Sequence, residues 1–350
     1  MSVGSRYSFF SDSEGPLCLN DNAFELAQHF IPNGDQLFVR LSAYDDYLVD
    51  VAHRPEYHGG DTLKLVLPFF KAYGVTEADM AEFSAKSVKW APDAPEMLRR
   101  VRDWMPVSIV TTSYEQFAMP MYRSLGLRDE QIFCTRVKLD GYKISPQEAA
   151  RLRQLAEEIV NMPVINPASA DPQWVARLDQ IFWQEICGIS SCRELFRRVT
   201  VMSGGRKAAV IAEWVRRNGI GLSGVMFVGD SITDMESLRL VRQGGGLAVS
   251  FNGNQFALRE AEIACISPTA ATAGILAEAF SQGGRERAIE VIEHLGQAQE
   301  NILQELSKLG VNPNVPPVVA RITPNNLSNL VEQSLTLRRY LRGVRIGALG

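Results

Sequence analysis

Two pairs of acids stand out in this chain because each follows a short strand-forming run. Tyr7-Ser-Phe-Phe-Ser11 leads into Asp12 and Glu14, and Gly224-Val-Met-Phe-Val228 leads through Gly229 into Asp230, with Asp234 four residues further on. A run of this kind, stopped by Gly15-Pro16, predicts carboxylates at the carboxyl end of a buried strand, the edge at which open α/β sheets bind ligands. Asp230 and Asp234, spaced by four across a turn into a helix, can share one side, which suits a hard divalent cation with oxygen ligands. Two other segments carry complementary chemistry. Pro106-Val-Ser-Ile-Val110 closes on Thr111, Thr112 and Ser113, hydroxyls able to bind a phosphoryl oxygen without adding charge. Lys207 follows Ser203-Gly-Gly205 in the first turn of a helix, where a cation opposes the helix dipole at a cost of up to about 1 kcal/mol that an anionic partner would offset. Each feature alone has a plainer reading: a solvated turn, a helix cap, a surface lysine.

These groups need a scaffold that brings them together. Further short strands are predicted at Gln131–Val137, Gly246–Gly253 and Glu262–Ser267, and helices at Pro95–Trp104, 114–126 and Ala208–Arg217. Strand and helix in alternation imply a parallel sheet with helices on both faces. Residues 20–92 break that alternation. Helical spacing at Asn22–Phe30, Asp61–Phe70 and Ala78–Phe83, with Asn22 and Asp61 as N-caps, makes them a helical cap insert. Residues 141–198 read as a second helical insert or an extension of the first. The core is thus expected in 1–19, 93–140 and 199–283. Beyond Gly283-Gly284 an apolar stripe runs to Leu309, breaks at Asn312–Pro317 and resumes over Asn325–Arg342, ending in a basic stretch to Arg345. Residues 284–350 are therefore a helical C-terminal appendage, either packed on the core or offering a surface to a second copy or a protein partner.

Composition narrows the classes. The chain has 350 residues, 46% hydrophobic and 22% charged, enough for a large core, and its net charge of −4 gives no basic field for nucleic acid. No apolar run reaches the length of a membrane span and no leader pattern opens the sequence, so a soluble cytoplasmic protein is expected. Five widely spaced cysteines suit reduced thiols better than a disulfide framework or a zinc site. His53 and His58, five apart, do not form a helical metal pair, and Arg54, Tyr57, Lys64 and Lys71 are cap residues within conceivable reach of a substrate.

Taken in order, Asp12-Ser-Glu14-Gly, the Thr111 strand end, Lys207 at a helix start and Gly229-Asp-Ser-Ile-Thr-Asp234 resemble the four signatures of the haloacid dehalogenase superfamily, in its phosphatase branch. Phe251-Asn-Gly-Asn-Gln255 and the Ala261-Glu-Ile-Ala264 run resemble that family's closing segment. The opening stretch is also similar to archaeal proteins of this type described as accessory subunits of an energy-converting hydrogenase. The resemblance covers about residues 6–18 and 95–280 and implies a Rossmann-like α/β core with helical caps. It further implies that Asp12 is the nucleophile and Glu14 the general acid/base, and that Thr111, with Thr112, and Lys207 hold the phosphoryl oxygens. Asp12, the backbone carbonyl of Glu14, Asp230 and Asp234 would hold Mg2+. Family phosphatases usually carry aspartate at the Glu14 position, and a carboxyl displaced by about an ångström can cost on the order of 10²-fold in rate.

The expected function is a magnesium-dependent phosphatase that hydrolyses a small phosphorylated metabolite through an aspartyl-phosphate. The alternative is a catalytically weak accessory or scaffold protein that binds metal and a protein partner. A dehalogenase would not need the metal acids, and a Schiff-base mechanism would need a cap lysine, for which Lys64 and Lys71 are the candidates.

Overall fold

Seven short segments rich in β-branched and aromatic residues form one sheet: β1 Ser8–Ser11, β2 Val107–Tyr114, β3 Ile132–Thr135, β4 Val225–Gly229, β5 Leu247–Phe251, β6 Ile263–Ile266 and β7 Val318–Arg321. The structure, a computed structural model, describes residues 6–55 and 57–343. Strand order is β3-β2-β1-β4-β5-β6-β7. The first six strands run parallel, and β7 pairs antiparallel with β6. Every residue of β1 and β4 is buried, as expected when helices cover both faces of a parallel sheet. The α/β core with a Rossmann-like parallel sheet is as the sequence predicts.

Chain connectivity places the site. From β1 the sheet grows toward β2 on one side and β4 on the other, so the carboxyl ends of these strands flank a crevice at the point where the order reverses. Ser11 lies opposite both Ile109 and Val228, which brings Asp12, the Thr111–Ser113 hydroxyls and Gly229-Asp230 to the same edge.

The two inserts share one core. Leu41, Phe70, Leu152 and Phe182, drawn from both segments, belong to a single buried cluster, and Tyr44 of the first stacks on Phe182 of the second, centroids 5.7 Å apart. Local signals begin the helices. Thr76 with Asp79 and Ser145 with Glu148 form capping boxes at Glu77–Ser87 and Pro146–Asn161. Two expected caps are corrected. Asp21 rather than Asn22 caps the helix Asn22–Phe30, accepting from Phe24 N–H; Asp61 makes no side-chain cap at all and pairs with Lys64 at 3.1 Å.

The C-terminal segment is built into the core. The helix Ala271–Gln297 is interrupted at Gly283 and Gly284, and Ala288, Ile292, Ile302 and Leu306 join Phe9 and Val107 in one cluster. The edge strand β7, absent from the sequence expectation, extends the sheet. The last helix, Leu327–Arg342, seats Leu330 and Leu337 on Leu258 and Ile266. Val344 and Arg345 of the basic stretch lie outside the described residues. No helix among the described residues is long and apolar enough to cross a membrane.

Candidate active site

Asp12 leaves β1 with its backbone N–H still donating to Val228 O at 2.9 Å, so the side chain is fixed beside the end of β4. The chain then turns sharply through Gly15, whose φ of +104° and close packing both demand glycine: a Cβ there would stand 2.1 Å from Asp230 Oδ2. At the end of β4, Asp234 folds back to accept from the N–H groups of Asp230 and Ser231 at 2.9 and 3.2 Å. This turn leaves no space for a side chain at Gly229, where a Cβ would lie 2.6 Å from Asp234 Cβ.

Lys207 is the centre of the constellation. The helix Gly205–Asn218 starts after Gly204, in a positive-φ conformation, and aims Lys207 under the sheet edge. Its ammonium, 0% exposed, donates to Asp12 Oδ2 and Asp234 Oδ1, each at 2.8 Å, and to Thr233 Oγ1 at 3.2 Å. Burial alone would lower the Lys207 pKa, but Asp12 and Asp234 hold it above its ordinary value. Asp12 Oδ1 accepts from Ser13 N–H at 2.6 Å.

Asp12, Asp230 and Asp234 are all buried, and each offers an oxygen within 4.8 Å of the others. Burial, reinforced by Asp234, pushes Asp12 up to about 7 against the pull of Lys207. Lys207 by itself therefore does not keep Asp12 fully ionised at neutral pH. A divalent cation among the three carboxylates would, and three oxygen donors at this spacing fit a hard ion such as Mg2+.

Glu14 faces the same cavity, its Oε1 fixed by Asn22 N–H at 2.9 Å and Ser113 Oγ at 2.8 Å. Two donors thus restrain the longer side chain that glutamate brings to this position. Burial, then the neighbouring Asp21, raise its carboxyl to about 8, outweighing Asn22, Arg342 and Ser113. The hydroxyls of β2 divide their roles. Thr111 is buried and donates to Ser113 Oγ at 3.1 Å, whereas Thr112 lines the cavity, its Oγ1 3.5 Å from Thr233 Oγ1. Of the two threonines expected to meet a phosphoryl group, Thr112 lines the cavity and Thr111 is buried behind it.

The cavity measures about 110 Å³ and lies between this cluster and the cap, which contributes Phe38, Ser42, Asp45, Asp46, Thr62 and Leu63. Lys64 is engaged with Asp61, and Arg54 lies 3.9 Å over the Trp183 ring, so neither lines it.

The chain is similar over nearly its whole length to the structure of gene product AF1437 from Archaeoglobus fulgidus: 29% identity, TM-score 0.83, 98% of this chain and 99% of that one. A HAD family hydrolase, t0658, from Salmonella enterica serovar Typhi gives TM-score 0.44 at 10% identity, over 71% of this chain and 64% of that one. A phosphoserine phosphatase structure with a phospho-aspartyl intermediate analogue gives 0.45 at 12%, over 74% and 91%. No protein-family model matches the sequence, and no curated protein does.

Sequence reasoning missed the two arginines of the last helix. Arg338, 3% exposed, forms an ion pair through Nη1 with Asp230 Oδ2, and Arg342 Nη1 lies 3.5 Å from the same oxygen. A signal was present. Arg338 and Arg342 stand four and eight residues after Ser334, on the helix face that also carries Leu330 and Leu337, so charge interrupts a stripe that should be apolar.

Proposed function

We propose that the protein is a magnesium-dependent phosphatase that forms an aspartyl-phosphate on Asp12, acting on a small phosphorylated metabolite. The observation that carries this reading is the buried Lys207 held between Asp12 and Asp234, with Asp230 completing a three-carboxylate cluster at a sheet switch point. In the first step an oxygen of Asp12 attacks phosphorus, the bond to the leaving oxygen breaks, and Glu14 delivers its proton to that oxygen. In the second, Glu14 takes a proton from water as the water oxygen attacks phosphorus, and the bond to Asp12 breaks to release phosphate. Lys207 and the Thr112 hydroxyl stabilise the phosphoryl oxygens, whose charge spreads in the transition state. Mg2+, held by Asp12, Asp230, Asp234 and the Glu14 carbonyl, would supply the positive charge that lets a dianion approach an anionic nucleophile.

Hydrolysis of a generic aryl phosphate by the purified protein tests the reading. Release should require magnesium and stop in excess chelator. Undiminished release in chelator, or none with magnesium, opposes it.

The state of Glu14 sets a pH limb. A carboxyl raised to about 8 is protonated, and so able to donate, below that value; the donor is lost above it. kcat/KM should therefore fall as pH rises through about 8, and Glu14→Gln should flatten that limb while lowering the rate by about 10²–10⁴-fold. A limb that persists unchanged in Glu14→Gln assigns the titration to another group.

One observation favours the second reading, an accessory protein with a weak site: Asp230 already has an arginine partner.

A further inference from the structure

We infer that Arg338 is an internal counter-cation of the acid cluster that competes with a divalent cation for Asp230, coupling metal loading to the seating of the C-terminal helix. The inference rests on the proposed metal role of Asp12, Asp230 and Asp234, and does not depend on turnover.

The Arg338 guanidinium is buried, and one of its nitrogens meets acceptors of two residues, Asp230 and Asn252. Nη1 donates to Asp230 Oδ2, to the Asp230 carbonyl at 3.3 Å and to the Asn252 carbonyl at 3.4 Å. Arg342 backs it from one turn further on, 3.5 Å from the same carboxylate oxygen. Gly15 closes another side, since even a Cβ at that position would collide with Oδ2. A cation ligated by Asp12, Asp230 and Asp234 would stand beside this guanidinium, in a place where burial leaves like charges poorly screened. Two cations then draw on one carboxylate, and each weakens the other's hold.

The helix carrying Arg338 is seated by contacts that would feel such a change. Ser334 Oγ donates to the Gly253 carbonyl at 2.7 Å, and Asn254 N–H of the same loop donates to the Asp230 carbonyl at 2.9 Å. At the other end, Arg342 Nη2 donates to the Asn20 carbonyl at 2.7 Å, at the entrance to the cap. Asp230, the loop after β5, the last helix and the cap entrance form one hydrogen-bonded unit. Metal binding at Asp230 is thereby linked to the C-terminal helix, and by reciprocity the helix tunes metal affinity.

The test is a calorimetric titration of magnesium into the full chain without substrate, for wild type and Arg338→Gln. The variant should bind about tenfold tighter or more, since one repelling charge is gone and Asp230 is released. Its metal-free form should melt lower than wild type and gain more from saturating magnesium. In wild type, magnesium should speed amide hydrogen exchange over residues 327–342. If Arg338→Gln does not fold without metal, Arg342→Gln carries the same test, with an expected tightening of about threefold. Equal or weaker binding in the variants overturns the inference and makes Arg338 a support of the site. Absence of binding in wild type and variants alike overturns the metal reading, and the inference with it.

Discussion

Asp12→Asn should reduce aryl phosphate hydrolysis by about 10⁴-fold or more, the scale seen when a covalent nucleophile is removed. The substitution keeps the size and shape of the side chain. Asparagine has the shape of aspartate, and its amide oxygen can still accept from Ser13 N–H, as Asp12 Oδ1 does at 2.6 Å. Its nitrogen would face the Lys207 ammonium where a carboxylate oxygen now accepts at 2.8 Å, an unfavourable contact of two donors. Against that, the ionised Asp12 is itself penalised by burial and by Asp234. Stability should therefore move little while rate collapses. Thermal unfolding beside kcat separates the two, and retention of more than about a tenth of wild-type kcat would remove Asp12 from the role of nucleophile.

Lys207→Met should be the most damaging substitution for the fold. The lysine is wholly buried between two buried carboxylates, 2.8 Å from each. Methionine fills much of its volume but leaves Asp12 and Asp234 facing each other without a cation, and breaking a buried pair in this way costs about 3–5 kcal/mol. The sign of its pH dependence follows from the carboxyl it exposes. Asp12 is already raised to about 7, and without Lys207 it rises further. A folded state that binds the proton more tightly than the unfolded chain gains stability as pH falls from that raised value toward the ordinary carboxylate range. The variant should thus be weakest above pH 7 and recover part of its loss near pH 5. Urea unfolding at the two pH values measures this, and magnesium should recover part of the loss at the higher pH. A loss that does not depend on pH would mean that packing, and not charge, is what Lys207 provides. Turnover should fall as well, by about 10²–10³-fold, because the transferring phosphoryl group loses its fixed cation.

What was legible in the sequence was whatever local pattern determines. Phe9-Phe10 before Asp12, and Met226-Phe227-Val228 before Asp230, announce buried strands ending in acids, and both pairs of acids stand where that pattern puts them. Lys207 was marked out by the glycines ahead of its helix and by a cation in the first turn, a local conflict that an anion offsets, but by itself it read equally as a surface lysine; the fold supplies the anion in Asp12. Thr111 and Thr112 could not be told apart, because strict alternation fails at the irregular end of β2. The union of the two cap segments depends on apolar faces far apart in sequence, and no periodicity tells Tyr44 that it will meet Phe182. β7 has only four residues at a sheet edge, too short for alternation to declare it. Arg338 reads as one of several arginines near the end of the chain; only the tertiary fold carries it to Asp230, 108 positions away.

The central claim is that Asp12 carries the phosphoryl group during turnover, and trapping tests it most directly. The protein would be mixed with an aryl phosphate and magnesium, quenched in acid within the first turnovers, and its peptides examined by mass spectrometry. The account predicts one phosphoryl group on the peptide that contains Asp12, lost on alkaline treatment as an acyl phosphate must be, and absent from Asp12→Asn. Turnover with that peptide unmodified, or with the phosphoryl group on a different residue, would contradict it.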